Sequence, residues 1–409
     1  MPIKWKKNRR LRPQVILNKL ESMRVKSEDQ SIFYSGFEIE NILPALHSML
    51  DLPVVSSEID TYSLIWEGLA KSTSKSLTTD GFLEILNRLL SDKLSKKDEI
   101  YHFLSTVSVS HVNSLRSIEC LGNRIYFSKK IFPKNFLKTR NLQIEDWGDV
   151  AEKTPSNYQN LTIQVRAKNP EAAFSKSFRS IDLLRALWCS QLNPQLKISF
   201  GHVAYEPINV IRMGSIHTLH RPDGSSAVDG IWFDPIFTKA RPFEFLDPVK
   251  LHSNCNKALR QIAKCAYREA IISALIRFAR ALDERDPNTA FLKLWGAFES
   301  LSSTANADYE RLVNQCAFLF SDRDYHLQML EHLRLYRNST VHVGEESSRA
   351  RNYCYQLQFY FMRLAWFHIN NASKFRSLEE CNFFLESPTE RIELKRQIHL
   401  RRQALKFRS

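Results

Sequence analysis

Near Pro248 the strand-like spacing of apolar residues gives way to a sustained helical period, and that change limits what the chain can fold into. Before it, between about residues 101 and 245, short alternating runs predominate. HFLSTVSVSH (102–111), NRIYFS (123–128), NLTIQVRA (160–167), ISFGHV (198–203) and PINVIRM (207–213) each read as strands. One helix interrupts them from roughly Pro170 to Cys189, with Ala172, Phe178, Ile181, Leu184 and Leu187 on its apolar side. Arg221-Pro222-Asp223-Gly224 predicts a turn, because proline presets φ and glycine tolerates φ above zero. Ahead of the strands, Ile39, Ile42, Leu46 and Leu50, and then Leu83, Ile85, Leu86, Leu89 and Leu90, recur at helical spacing.

After Pro248 the strand signals stop, and the rest reads as helices with short breaks. One helix is expected from about Asn256 to Leu282, with Leu259, Ile262, Ala266, Ala270, Ala274, Phe278 and Leu282 on one stripe. A second begins near Asn288 as N-cap and carries Phe291, Trp295 and Phe298. Others follow at about 306–320, 325–336 and 349–371. The fold class is therefore α+β, a mixed N-terminal domain (31–245) followed by an all-α bundle (250–385). Residues 1–30, rich in Lys and Arg, read as a basic arm, and 386–409 as a basic tail that forms an amphipathic helix.

The formal charge of +14 over 409 residues attracts polyanions at long range without choosing among nucleic acid and anionic surfaces. Seven cysteines without a Cys-x-x-Cys pair argue against a disulfide framework or a zinc ribbon, and a reducing cytoplasm fits them best. The N-terminus is not followed by a signal-like apolar run, and no stretch is long and apolar enough for a membrane span. No Walker-type glycine loop or paired-carboxylate metal signature is present, so no cofactor or metal is expected. His217 and His220, three apart in a strand region, point to opposite faces and make a poor zinc pair.

The stretch that carries chemistry is HLRLYRNSTVHVG (332–344), between two predicted helices. Arg-x4-His spacing alone says little, since about one match arises by chance in a chain this rich in arginine and histidine. Arg212 to His217 lies in the strand region, and Arg363 to His368 lies inside a continuous apolar helix. Only Arg337 to His342 has a polar follower, Asn338, with a helix on either side. On one straight helix five residues turn about 140°, so a break around Asn338-Ser339-Thr340 is expected to bring the pair together.

These residues resemble the signature of the HEPN ribonucleases, and LWGAFESL (294–301) resembles the second helix of the Apea-like branch, the likeness covering about 250–375. It implies a metal-independent endoribonuclease in which the RNA's own 2′-hydroxyl attacks the adjacent phosphorus. Arg337 would hold the scissile phosphate, His342 would act as general acid or base, Asn338 would orient phosphate or arginine, and Glu299 matches an acidic residue near the motif. The resemblance also implies a homodimer with two motifs in one cleft and RNA (tRNA or mRNA) as partner. It further implies a toxin-like role in anti-phage defence or abortive infection, with the N-terminal domain sensing a phage-derived trigger or restraining the nuclease. Two other readings stand beside it. In one, a noncatalytic bundle binds RNA or serves as a scaffold, Arg337 complementing a helix C-terminus and His342 sitting in the core; in the other, a toxin is controlled by a partner nucleotidyltransferase.

Overall fold

The computed structural model describes residues 2–26, 32–34, 36, 38–53, 59–72, 77–110, 116–128, 131–147, 154–197, 206–234, 236–302, 309–344 and 346–408. By compactness the chain divides into two units. One comprises Met1–Phe103, Ile163–Phe178 and Leu219–Asp229; the other comprises Leu104–Thr162, Arg179–Thr218 and Gly230–Ser409. This division does not fall at the boundary near 245 that the change of period suggests, because the second unit combines much of the strand region with the helices after Pro248.

The first unit contains β1 (Lys4–Trp5), α1 (Pro13–Ser22), β2 (Arg24–Lys26), β3 (Ile32–Tyr34), α2 (Ile39–Met49), β4 (Leu50–Asp51), α3 (Thr61–Lys71) and α4 (Thr79–Ser95). Here the expected basic arm is corrected, since Ile3 and one face of α1 pack into the core. Ile3, Leu17, Leu20 and Met23 are buried with Leu43, Leu46, Leu69, Phe82 and Leu86. β1 pairs antiparallel with β4, and the Asn87 side chain hydrogen-bonds both the N–H and the C=O of Ile3. The cations between these apolar positions stay outside, so average charge concealed a helical stripe.

The strand region supplies β5 (Glu99–Val107), β6 (Ser117–Cys120), β7 (Asn123–Ser128), α5 (Lys134–Asp146), β8 (Gln159–Ala167), α6 (Pro170–Leu192), β9 (Ile216–His220) and β10 (Trp232–Phe233). These strands form one sheet in the order β10-β9-β5-β8-β7-β6. In β5, Phe103, Leu104, Ser105, Thr106 and Val107 are all buried, as in a central strand covered on both faces. The strand expected at 207–213 reduces to an isolated bridge between Met213 and Val107. The chain there must pass close to β5, since a Cβ on Gly214 would lie 1.9 Å from Thr106 Oγ1. The run at 198–203 lies outside the described residues. The proposed turn is present, with Gly224 at φ +93° and its N–H donating to the Arg221 carbonyl.

After the strands come α7 (Pro248–Lys264), α8 (Arg268–Leu282), α9 (Pro287–Glu299), α10 (Tyr309–Ala317), α11 (Arg323–Val343), α12 (Ala350–Asn370), α13 (Leu378–Leu385) and α14 (Arg391–Arg408). The single helix expected from 256 to 282 is two helices, α7 and α8, separated at an extended, buried Cys265. No proline or glycine marks the break. It lets α7 bury Leu251, Cys255, Ala258 and Ile262 while α8 turns a separate face inward, and Ala266 is left exposed. α9 packs against α8 and α12, and Phe278 of α8 stacks on Phe361 of α12 at 4.8 Å. The C-terminal α14 buries none of its side chains.

A buried ion network joins α6 to α8 within the second unit. Arg185 is fully buried, with Nη2 2.7 Å from Asp182 and 2.8 Å from Asp283 and Nη1 donating to the Ile211 carbonyl. Arg280 closes the far side, 2.6 Å from Asp182 and 3.5 Å from Asp234. Burial alone would push the Arg185 pKa down, but Asp283 and Asp182 outweigh it and hold the guanidinium charged. Asp283→Ala should therefore cost about 3–5 kcal/mol in denaturant unfolding, because it strands a buried charge. A loss below about 1 kcal/mol would show that the network does not organise this unit.

Candidate functional site

α11 begins with Asp322 accepting from the Tyr325 N–H and ends where Gly344 adopts φ +73° and donates its N–H to the Thr340 carbonyl. The break expected at Asn338–Thr340 is absent, and Arg337 and His342 stand on one continuous helix. The local chemistry explains this. Thr340 Oγ1 donates back to the Tyr336 carbonyl at 2.9 Å, satisfying its hydroxyl inside the helix, and only Gly344 provides the positive φ that ends it.

Arg337 faces the last residue of α9. Its Nη2 lies 3.6 Å from Glu299 Oε1, with the two side chains 15% and 30% exposed, and its Nη1 donates to Asn338 Oδ1 at 3.3 Å. Glu299 Oε1 also accepts a short hydrogen bond from Trp295 Nε1 one turn earlier on α9. Burial raises the Glu299 pKa, opposed by the Trp295 hydrogen bond and by Arg337. The carboxylate therefore orients the guanidinium.

Tyr336 sets the rotation of α11. It is buried between Phe291 of α9 and Tyr353 of α12, with ring centroids 4.8 and 4.7 Å away, and its hydroxyl donates to Asn288 Oδ1. Asn288 is not the N-cap of α9. That place belongs to Asp286, which accepts from the Thr289 N–H with Pro287 at the first helical position. Asn288 instead accepts from both Tyr336 and the Ser347 N–H, tying the start of α9 to the segment after α11. Trp295, Tyr336 and Asn288 were not read as site-supporting residues, because their sequence signal is that of core aromatics and a cap.

His342 is exposed on the last turn of α11. Helical geometry sets it about 140° from Arg337 around the axis but one turn from Asn338, on the face that carries Leu335, 61% exposed. A single chain thus brings together Arg337, Asn338 and Glu299, and it does not bring His342 onto the arginine's face.

The histidines of the other arginine–histidine matches are packed inside. His368 of α12 is fully buried; its Nδ1 is 3.2 Å from the Tyr267 hydroxyl and 3.3 Å from Cys381 Sγ, and desolvation takes its pKa down to about 4. His217 Nδ1 bonds Ser105 Oγ at 2.8 Å, but both residues are fully buried, so this serine–histidine pair has no route for substrate. His217 and His220 both lie on β9, and among the described residues no group of three His, Cys, Asp or Glu is placed to hold a metal. No helix of the described residues is long and apolar enough to cross a membrane. Comparison with family models, curated proteins and solved structures finds no match to this chain.

Two outcomes follow. A double-mutant cycle on Glu299→Gln and Arg337→Gln should give a coupling of about 0.5–1 kcal/mol in unfolding, as for a half-buried pair; zero coupling would mean the pair does not form in solution. Because the folded pKa of His368 lies below the ordinary imidazole value, the unfolded chain gains protons first on acidification. Stability at this residue is complete above about pH 6.5, falls between there and about pH 4, and levels off below, by roughly 3 kcal/mol in total. His368→Gln should flatten that part of the pH–stability curve, and an unchanged slope would exclude His368 as its source.

Proposed function

We propose that the second unit carries a metal-independent, HEPN-type endoribonuclease whose site is built on the C-terminal end of α11. The observation that carries this reading is the half-buried Arg337–Glu299 pair beside Asn338, held at the bundle surface five residues before an exposed histidine. A guanidinium fixed this way can bind two nonbridging oxygens of a phosphodiester and stabilise charge that builds on them. RNA supplies the nucleophile. Attack of the 2′-oxygen on phosphorus, with loss of its proton, breaks the P–O5′ bond, and the leaving 5′-oxygen takes up a proton. The products are a 2′,3′-cyclic phosphate and a 5′-hydroxyl. An imidazole can both accept and donate a proton and so can serve either proton transfer.

In this reading the histidine that completes each site comes from a second copy of the chain. Leu335, Val341 and Val343 are 61%, 49% and 80% exposed around His342, apolar surface that a twofold contact along α11 would cover. The assembled nuclease would serve as a growth-arresting effector in phage defence, with RNA as substrate and the first unit as sensor or restraint. A specific observation favours a second reading, a noncatalytic RNA-binding bundle: within one chain Arg337 is engaged by Glu299 and His342 faces elsewhere.

Incubating the protein with total RNA in EDTA should yield cleavage with cyclic-phosphate ends. Arg337→Ala and His342→Ala should each lower the rate at least about a hundredfold. Mixing the two inactive chains separates the architectures, since a shared site regains up to about a quarter of wild-type activity by forming one intact site per mixed dimer. No recovery would place both groups in one chain. Unimpaired RNA binding without cleavage by the wild type would leave the noncatalytic reading.

A further inference from the structure

A cleft of about 460 Å³ opens in the second unit, away from α11 in sequence, and its lining combines three cations with an apolar wall. Arg212, Lys239 and Arg241 supply the charge, and Val210, Pro242 and Phe243 the wall. Arg212 is partly buried, and its guanidinium hydrogen bonds go to neutral acceptors, Nε to the Asn209 carbonyl at 3.0 Å and Nη2 to the Pro207 carbonyl at 3.1 Å. Those bonds fix its orientation without balancing its charge. Among the described residues no carboxylate lies within ion-pairing distance of Arg212, Lys239 or Arg241. Two glutamates also line the cleft, Glu206, whose carboxylate sits 3.9 Å from Lys197, and Glu244.

A partly desolvated, oriented guanidinium with no ion pair is costly unless an anion meets it. Burial lowers the Arg212 pKa, and the more distant Asp283 and Glu206 only partly restore it, in keeping with a cation whose partner is missing from the chain itself. The volume falls within the range of small-molecule sites and exceeds the needs of a lone phosphate, while Pro242 and Phe243 offer apolar surface beside the charges. We infer that this cleft binds a small phosphate-bearing ligand of mononucleotide size, its phosphate held by Arg212 and Arg241 and its body lying along Pro242 and Phe243. This does not rest on the ribonuclease reading.

Calorimetric titration of the full chain with AMP, adenosine and inorganic phosphate tests it. AMP should bind, adenosine should bind at least about tenfold more weakly because it lacks the anion, and phosphate alone should be weaker than AMP. Lys239 and Arg241 are exposed, so Lys239→Ala/Arg241→Ala should fold normally, by circular dichroism and melting, and weaken AMP about tenfold. Arg212→Gln should remove binding; if that variant does not fold, the double variant decides. The inference is overturned if AMP gives no heat at millimolar concentration, if adenosine binds as well as AMP, if phosphate alone matches AMP, or if the double variant binds AMP unchanged.

Discussion

The second unit depends on a charge that water cannot reach. Arg185 lies at zero exposure on α6, and its guanidinium is tolerated only because Asp182, Asp283 and the Ile211 carbonyl surround it. Asp283 in turn accepts from Asn209, which also bonds Asn193, whose amide reaches Gln358 on α12. A chain of satisfied polar groups therefore runs from α6 through the end of α8 to α12. Nonpolar contacts tolerate small shifts, but hydrogen-bonded ions do not, so this network fixes how α8 and α12 stand around α9.

From that frame the candidate site follows by short steps. α9 is buried through Phe291, Leu294, Trp295 and Phe298, which leaves Glu299 at its end, beside α11. Tyr336, wedged between α9 and α12, fixes the rotation of α11 and with it the direction of Arg337. His342, one turn past Asn338, is governed by no such contact and stays in solvent. The arginine is a product of core packing and the histidine is not. This asymmetry is why a second copy of the chain enters the functional reading.

Much of the architecture was legible in the residue pattern. Alternation marked β7 and β8, the 3.6-residue period marked α6 and α12, and proline followed by Asp-Gly marked the turn at Arg221–Gly224. The readings that failed did so where local signals were weak or misleading. Leu121-Gly122 turns β6 into β7 with both residues at positive φ, a conformation that leucine does not advertise, so the hairpin's first strand was missed. The N-terminal helix was hidden by interleaved lysines and arginines, and the α7–α8 break carries no breaker residue. Asn338-Ser339-Thr340 looked like a break because such residues often cap, yet each can also be satisfied within a helix.

The sequence by itself determined the period of each segment, the α+β class and the chemical identity of the groups at 299, 337, 338 and 342, since these depend on side-chain type and near neighbours along the chain. Only the tertiary structure decided that Glu299 meets Arg337, that His217 and His368 are sealed while His342 is open, and that Arg212 faces a cleft beside Lys239 and Arg241. The physical reason is that burial and ion pairing are set by residues tens to hundreds of positions away. Dihedral preference and hydrophobic spacing carry no information about which distant side chain will arrive.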